Sequence, residues 1–307
     1  MRVFVTGSTG FIGTGVVKDL LAAGHSVLGL TRSDKGAQQL KDQGAEVLHG
    51  TLHDLETLKK GASQCDAVIH LAFIHDHDFV AACAVDKAAI QALGEALAAS
   101  SDGGKEKALV ISSGTMLLPH GRLVKEDDTA DLSNPIAAAR GGSEPLALGF
   151  SKSGVRASVV RLAPTVHGPG NCGFVGLLAK KAVETGVSAY VGDGQNRWPA
   201  GHRDDSATLY RLAAEKGASG SVFHAIAEEG VKLKDIATEI GKQLDIPVVS
   251  LTKEKAAEHF GWFEFAVSAD NWASSEKTRE ILGWTPTGVS VLEDVPLAIK
   301  NAKRGAE

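Results

Sequence analysis

A glycine-rich turn stands close to the start of this 307-residue chain, between an apolar run and a segment of helical period. Residues 6–13 read Thr-Gly-Ser-Thr-Gly-Phe-Ile-Gly. The missing side chains at Gly7 and Gly10 permit a tight turn and a close approach of backbone to phosphate, and Gly13 permits close packing of the helix. Free N–H groups at a helix start attract anions. The turn predicts a dinucleotide pyrophosphate site formed by Gly7, Ser8, Thr9, Gly10, Phe11 and Ile12.

The residues that follow the second apolar run indicate which dinucleotide is expected. NAD sites place a carboxylate there to bind the ribose hydroxyls, whereas this chain has Arg32 and Ser33. A guanidinium and a hydroxyl donate charge-assisted hydrogen bonds to a ribose 2′-phosphate. We therefore predict NADP(H) as the cofactor. The alternative is a solvated Arg32, with Asp34 as a delayed ribose ligand.

Composition narrows the classes of protein that fit. With 43% hydrophobic and 22% charged residues, the chain is typical of a folded protein with a sizeable core, and its net charge of -5 disfavours nucleic acid and anionic membranes as partners. Cys65, Cys83 and Cys172 are widely spaced and form no disulfide or zinc pattern. We expect no signal peptide, because the first apolar run leads directly into the glycine turn, and no uninterrupted apolar run reaches about 18 residues. We expect a cytoplasmic protein with a small-molecule substrate.

Short apolar, β-branched runs alternate with segments of helical period in the first half of the chain. The runs lie at residues 2–6, 26–30, 45–49, 67–71, 108–112 and 157–162, and two of the helical segments are 12–23 and 79–99. This alternation predicts an α/β fold, a Rossmann doubly wound parallel sheet over residues 1–165. A smaller α/β substrate-binding lobe, partly interleaved with the sheet, is expected over 166–307. It includes a helix at 233–244 and a last helix within 289–301, limited by Pro296.

Several short motifs follow the glycine turn in a familiar order. They are His53-Asp54-Leu55, His70-Leu71-Ala72, Ile111-Ser112-Ser113, the segment 161–170, and Leu282-Gly283-Trp284-Thr285-Pro286. In this order the chain resembles the extended short-chain dehydrogenase/reductases, which include the NAD-dependent epimerase/dehydratases. The resemblance implies cofactor contacts at Asp54, Leu55, Leu71, Ala72, Phe73, Ser112, Arg140 and Pro164. It is also compatible with a homodimer, since such relatives often dimerise.

The catalytic signature of that family, Tyr-x-x-x-Lys, is missing from the chain. Its two tyrosines, Tyr190 and Tyr210, are not followed by lysine at this spacing, and the aligned positions hold Ile136 and Arg140. In the family, tyrosine supplies a proton, while lysine binds the ribose and lowers the tyrosine pKa. The chain therefore resembles the atypical subgroup that has lost this relay. Arg140 is a candidate for ribose or substrate contact, with a surface or interface arginine as the alternative.

Other polar residues are candidates for the missing catalytic role. Ser113 and Thr115 can orient a substrate oxygen, Arg140 can contact it, and His167 titrates near neutrality. The alternatives are turn hydrogen bonds for the hydroxyls and pinning of a glycine-proline loop for His167. The histidines and acids within residues 70–78 follow no known ligand spacing, so we predict no metal; of these, His75 and His77 are expected to line the substrate pocket.

Three functions are compatible with these features. The leading hypothesis is an NADPH-dependent reductase of a small or medium carbonyl, imine or activated alkene that needs little acid catalysis. The alternative is a non-catalytic NADP(H)-binding redox sensor, because the proton relay is missing. An epimerase or dehydratase ranks last, since it requires an acid/base pair that the sequence does not reveal.

Overall fold

Strands and helices alternate along the first half of the chain, as the sequence predicts. They are described by a computed structural model that covers residues 1–75, 78–100, 106–170 and 173–304. In chain order they are β1 Arg2–Thr6, α1 Phe11–Ala22, β2 Ser26–Thr31, α2 Asp34–Gln43, β3 Glu46–His49, α3 Leu55–Ser63, β4 Ala67–His70, α4 Phe79–Ala99 and β5 Lys107–Gly114.

The remaining elements are shorter strands and helices. They are β6 Leu123–Val124, α5 Pro135–Gly141, α6 Ser143–Gly149, β7 Val155–Leu162, β8 Thr165–His167, α7 Gly173–Thr185, β9 Ser188–Val191, β10 Arg197–His202, α8 Arg203–Lys216, β11 Ser221–Ala225, β12 Glu228–Lys232, α9 Leu233–Leu244, β13 Val248–Leu251, α10 Lys253–Phe260, α11 Glu264–Val267, β14 Trp272–Ala273, α12 Glu276–Leu282 and α13 Val295–Arg304.

A seven-stranded parallel sheet forms the centre of the fold, in the order β11-β7-β5-β4-β1-β2-β3. The predicted Rossmann fold class is confirmed. The chain proceeds from β1 outward through β2 and β3, then returns to build the other side from β4. A crevice therefore opens beyond the carboxyl ends of β1 and β4, which is where open α/β sheets bind ligands.

The sheet contains one strand more than the sequence predicts. We expected the series to end at residues 157–162, but β11 pairs in parallel with β7 at the edge. Its residues, Ser-Val-Phe-His-Ala, include only one β-branched residue and lie outside the alternating pattern of the first half of the chain. From the same part of the chain, α8 packs on α1, and Tyr210 and Leu209 lie in one core with Val16 and Val17. Residues beyond 165 thus complete both the sheet and its helical cover.

Alternate residues along the strands supply two cores. Val3, Val5 and Val110 face α1 and α8 on one side of the sheet. Phe4 and Leu109 face α3, α4 and α6 on the other. A separate core around buried Trp198 holds the C-terminal lobe together, where smaller sheets have the orders β12-β10-β8, β13-β9 and β14-β6. This two-sided burial makes the sheet a rigid support for the loops at its carboxyl edge.

The C-terminal helices agree with the sequence in part. The helix predicted at residues 233–244 is α9, with the same bounds. The last helix, predicted within residues 289–301 and limited by Pro296, is α13. It begins at Val295, which places Pro296 in the first turn, where proline costs no internal hydrogen bond, and it extends beyond residue 301 to Arg304. Among the described residues, no helix combines the length and apolarity needed to cross a bilayer.

Candidate functional site

The glycine turn lies between β1 and α1 and is packed so tightly that side chains are excluded. Gly7 has a φ of 66°, and a Cβ there would lie 2.8 Å from the Ala72 nitrogen at the end of β4. A Cβ on Gly13 would lie 2.0 Å from the Gly7 carbonyl oxygen. We expected Gly13 to allow the helix to pack closely on the sheet. The atoms nearest to a Cβ at this position belong instead to the glycine turn itself. These glycines fix the shape of the turn.

The start of α1 is left open beside this turn. Gly10 is the N-cap residue, and no side chain caps the helix. Ser8 is buried, and its hydroxyl donates to the Leu30 carbonyl at 2.8 Å, so only its backbone is available to a ligand. Uncapped N–H groups beside a surface without Cβ atoms suit the pyrophosphate of a dinucleotide. The residues of this turn therefore fit a dinucleotide, whichever of NAD and NADP it is.

Two predicted ligands of the 2′-phosphate follow β2. Arg32 is exposed and forms no ion pair with any described residue. The Ser33 oxygen accepts a hydrogen bond from the Gly36 backbone at 3.1 Å and caps α2, which leaves the hydroxyl proton available. Asp34, the alternative ribose ligand, is the first residue of α2. The end of β2 thus presents an uncompensated positive charge.

The loops after β3 and β4 position the next predicted contacts. Asp54 caps α3 by accepting from the Thr57 backbone at 3.2 Å and the Thr57 hydroxyl at 2.6 Å, so its carboxylate is committed to the helix. Leu55 follows as the first helical residue. Beyond β4, the Ala72 nitrogen donates to Thr6 at 3.3 Å. Half-buried Leu71 and Phe73 flank Ala72 and border the crevice.

A buried polar cluster beneath the crevice was missed by the sequence analysis. We call Thr6, His70, Asp86, Arg140 and Ser143 the Asp86 cluster. His70 Nδ1 lies 2.7 Å from the Thr6 hydroxyl, and His70 Nε2 lies 3.3 Å from Asp86 Oδ1. Asp86 Oδ2 accepts from Arg140 and, at 2.8 Å, from Ser143. The available signal was an aspartate within the alanine-rich, apolar segment that forms α4.

Arg140 lies beside the carboxyl end of β5, at the edge of the crevice. Its guanidinium donates to the Ser112 carbonyl at 2.9 Å and lies 4.7 Å from the centre of the Phe73 ring. It is largely buried, since Asp86 binds it from below. This burial disagrees with the alternative of a surface arginine, and the alternative of an interface arginine stays a prediction. Arg140 is a fixed cation whose charge is balanced within the protein.

Ser112 is held by hydrogen bonds from both directions. Its hydroxyl accepts from the Tyr210 hydroxyl at 2.7 Å and donates to the His70 carbonyl at 3.0 Å. Burial raises the pKa of Tyr210, and its ring is fully enclosed in the core. This tyrosine is therefore not a substitute for the missing catalytic one. It supports the end of β5 from beneath.

The predicted hydroxyl catalysts already donate to other side chains. The Ser113 hydroxyl donates to Glu144 at 2.5 Å, and Glu144 also receives two hydrogen bonds from Arg161, at 2.9 and 2.7 Å. The buried Thr115 hydroxyl donates to the Asn271 side chain at 3.0 Å. With these donors in use, both residues are better suited to positioning the end of β5 than to giving up a proton.

His167, the remaining catalytic candidate, is enclosed in the C-terminal lobe. Its Nδ1 lies 2.7 Å from Asp294, its ring packs edge-on against His202, and Nε2 has no hydrogen-bond partner among the described residues. Burial lowers the pKa of His167 despite the nearby carboxylate. Its contacts thus favour the alternative, a histidine that fixes its own loop. Pro164, a predicted cofactor contact, is half-buried nearby, and its carbonyl oxygen accepts a hydrogen bond from the Phe174 backbone N–H at 3.2 Å.

The group of histidines and acids after β4 is only partly described, since residues 76 and 77, which include the predicted pocket residue His77, lie outside the described ranges. His75 packs against Phe73 with ring centres 5.2 Å apart. Across the described residues, no three histidine, cysteine or acidic side chains are grouped as a metal ion requires. His75 thus belongs to the border of the crevice.

A glycine turn, an open helix start and a parallel seven-stranded sheet together define the architecture of the extended short-chain dehydrogenase/reductases. The model of the NAD dependent epimerase/dehydratase family matches residues 3–226. The chain belongs to this family.

Three known proteins illustrate the similarity. A protein of Schizosaccharomyces pombe described as uncharacterized is 48% identical over 297 residues, 96% of this chain and 98% of that one. The 4-hydroxy-2-methyl-3-oxo-4-farnesyl-3,4-dihydroquinoline-1-oxide ketoreductase of Stigmatella aurantiaca is 29% identical over 273 residues, 85% of this chain and 80% of the relative. The crystal structure of DesIV, a dTDP-glucose 4,6-dehydratase of Streptomyces venezuelae with NAD and TYD bound, has a TM-score of 0.78 at 19% identity and covers 100% and 98% of the two chains. That likeness shows a common fold.

Proposed function

We propose that the protein is an NADP(H)-dependent reductase of a small or medium organic substrate that carries a carbonyl, an imine or an activated alkene. The observation that carries the cofactor choice is the exposed, unpaired Arg32 beside Ser33 at the end of β2. A 2′-phosphate placed there would meet one full positive charge and one hydroxyl donor. NADPH, when bound, supplies a hydride.

The binding roles follow from the contacts already described. Backbone N–H groups at the start of α1 hold the pyrophosphate, with Gly7 and Gly13 keeping the approach open. Arg140 and the Ser112 carbonyl fix the edge of β5 beside the reacting end of the crevice. Asp86 keeps Arg140 in place from beneath. These residues bind and orient, and we assign none of them as a proton donor.

Reduction is favoured over epimerisation for a chemical reason. Ser113 and Thr115 already donate to Glu144 and Asn271, so the site offers little acid catalysis to a substrate oxygen. A two-step epimerisation requires acid and base groups, whereas an activated acceptor can take its proton from water. The relative from Stigmatella aurantiaca is a ketoreductase by name, which supports this choice.

The cofactor proposal is tested by replacing Arg32 with alanine. Loss of the charge-assisted hydrogen bonds should raise the Kd for NADPH by about 10- to 100-fold and leave the Kd for NADH unchanged. Fluorescence titration of both cofactors measures this. Lys41→Ala is the matched control, because Lys41 is an exposed cation at the opposite end of α2. Equal NADPH affinities for wild type and Arg32→Ala would exclude the proposed 2′-phosphate site.

The missing proton relay is tested by restoring it. We expect the double variant Ile136→Tyr, Arg140→Lys to reduce unactivated ketones at least about 100-fold faster than wild type, the lower range of general acid catalysis. NADPH consumption at 340 nm is the measurement. Ile136→Phe with Arg140→Lys is the control, since it adds a ring without the hydroxyl. Equal rates for the two double variants would contradict a missing acid as the limit on turnover.

A redox sensor remains the second candidate, favoured by the committed hydroxyls of Ser113 and Thr115. A sensor should bind NADP⁺ and NADPH with clearly different affinities and turn over no substrate. Isothermal titration with the two forms, together with a panel of carbonyl, imine and alkene substrates, separates the two functions.

A further inference from the structure

Aromatic rings gather beyond the carboxyl end of β4, outside the predicted cofactor contacts except for Phe73. The ring centre of Phe73 lies 5.2 Å from that of His75 and 5.9 Å from that of Phe79. We call these three residues the aromatic cluster. Arg140 covers part of Phe73, with its guanidinium 4.7 Å from the ring centre. The cluster therefore adjoins the edge of β5 where a substrate must approach.

Apolar side chains extend this cluster to the protein surface. Phe79 is 36% exposed, and Ile136 is 37% exposed on α5. Ile136 precedes Arg140 by four residues, so the two share one face of the helix. The aromatic cluster and Ile136 form what we call the apolar rim. Exposed apolar side chains beside a ligand crevice are typical of a binding site.

The electrostatics of the apolar rim disfavour a charged substrate. The Arg140 charge is balanced by Asp86, and its other hydrogen bond goes to the Ser112 carbonyl. Desolvation and the Arg140 charge both lower the pKa of His75, which disfavours its charged form. The two phosphates of a sugar nucleotide would require an uncompensated cation, which Arg140 does not supply. Neutral ring systems, by contrast, gain from contact with aromatic faces.

We propose that the apolar rim binds a neutral, conjugated ring carbonyl of the quinone type, with two or three fused rings packed against Phe73, Phe79 and Ile136. This substrate class rests on the proposed reductase function. NADPH would supply a hydride to one quinone oxygen, breaking its carbon–hydrogen bond and forming an O–H bond, and the displaced electron pair would spread over the conjugated ring as the hydroquinone monoanion. One proton from water on the second oxygen would then give the hydroquinone, with NADP⁺ and hydroxide as the other products. A delocalised anion of this kind needs no positioned acid, which suits a site without the tyrosine.

Binding is measured apart from turnover. We would titrate 1,4-naphthoquinone, 9,10-phenanthrenequinone and UDP-glucose into the protein with and without NADP⁺, using isothermal calorimetry. The two quinones should bind and UDP-glucose should not. Phe79→Ser and Ile136→Ser should each raise the quinone Kd by about 3- to 10-fold. Both sites are exposed, so the fold should tolerate the changes. Val289→Ser, at a partly exposed apolar residue in the C-terminal segment, should leave the Kd unchanged.

The outcomes separate this inference from the proposed function. Quinone binding weakened by both rim variants, but not by Val289→Ser, supports it. Turnover of aliphatic carbonyls without quinone binding overturns the substrate class and leaves the reductase intact. Quinone binding without any NADPH oxidation supports the apolar rim as the binding surface and overturns the reductase function. If Phe79→Ser converts a dimer to a monomer in sedimentation and leaves the quinone Kd unaltered, the apolar rim is an interface between copies, and the inference fails.

Discussion

Replacing Asp86 with alanine is expected to lower the free energy of unfolding by about 3–5 kcal/mol, the range for breaking a buried ion pair from one side. Asp86 is 1% exposed and holds Arg140, Ser143 and His70 together. Without its carboxylate, the Arg140 guanidinium would remain largely buried with no counter-charge. Urea unfolding followed by circular dichroism measures the loss. We expect weaker NADPH binding as well, because Arg140 would no longer be fixed at the edge of β5.

Three comparisons isolate this effect. Glu56→Ala removes an exposed pair with Lys59, at 3.3 Å, and should cost less than about 1 kcal/mol. Asp86→Asn keeps the shape of the side chain, and its free energy of unfolding should lie between those of Asp86→Ala and wild type. In the double variant Asp86→Ala, Arg140→Ala, the cost should be smaller than the sum of the single changes. Simple additivity would show that the two residues do not act as a pair.

The same cluster predicts a pH dependence. Burial alone would raise the pKa of Asp86, but its contacts with His70, Arg140 and Ser143 outweigh this effect and hold the pKa below its usual value. A carboxyl of this kind stabilises the fold above its unfolded pKa, about 3.9, and loses that contribution as pH falls through the lower folded value. The stability difference between wild type and Asp86→Asn should therefore shrink as pH falls below about 4. A difference that is the same at about pH 2 as at about pH 5 would contradict this assignment.

Gly13→Ala is the second change with a large expected effect. Its Cβ would lie 2.0 Å from the Gly7 carbonyl oxygen, a distance that only a backbone shift can relieve. Overpacking of this type costs about 1–3 kcal/mol, and here the shift falls on the turn that holds the pyrophosphate. We expect the Kd for NADPH to rise at least about 10-fold, because the phosphate-binding N–H groups would move. Fluorescence titration and thermal unfolding measure the two effects.

Gly15→Ala is the matched control for this change. It lies two residues further along α1, where a Cβ would meet the Ala207 side chain at an ordinary 3.4 Å. Alanine favours a helix interior by roughly 0.5–1 kcal/mol over glycine, so stability should be kept or slightly increased. NADPH affinity should remain that of wild type. Equal affinities for Gly13→Ala and wild type would remove the turn from the cofactor site.

The sequence predicted those parts of the fold that depend on local pattern. Alternating apolar runs revealed six strands of the sheet, and the spacing of three glycines located the turn and α1. Both signals arise within a few neighbouring residues, because side-chain period and backbone freedom are local properties. β11 was missed because it contains only one β-branched residue, Val222, and it pairs with β7, which lies far away in the chain.

The side-chain network of the site could not be predicted in the same way. Ser113 and Thr115 were singled out for their hydroxyl groups, but their acceptors, Glu144 and Asn271, are 31 and 156 residues away. Asp86 and Arg140 are separated by 54 residues. Such contacts depend on how the helices pack on the sheet, and the spacing of residues along the chain does not determine that packing. The one usable clue was a charged residue on an apolar helix, which burial permits only when a partner is present.

The place of α8 and β11 in the fold has a consequence for biosynthesis. Both lie beyond residue 200, yet α8 covers the apolar face of α1 and β11 completes the sheet beside β7. A nascent chain that has emerged only to residue 165 has an open strand edge and uncovered Val16 and Val17. At about 5–20 residues per second, the ribosome takes several seconds to supply the missing pieces. During that interval the growing chain is exposed to aggregation and to chaperones, because α1 and the edge of β7 stay uncovered until about three-quarters of the protein has been made.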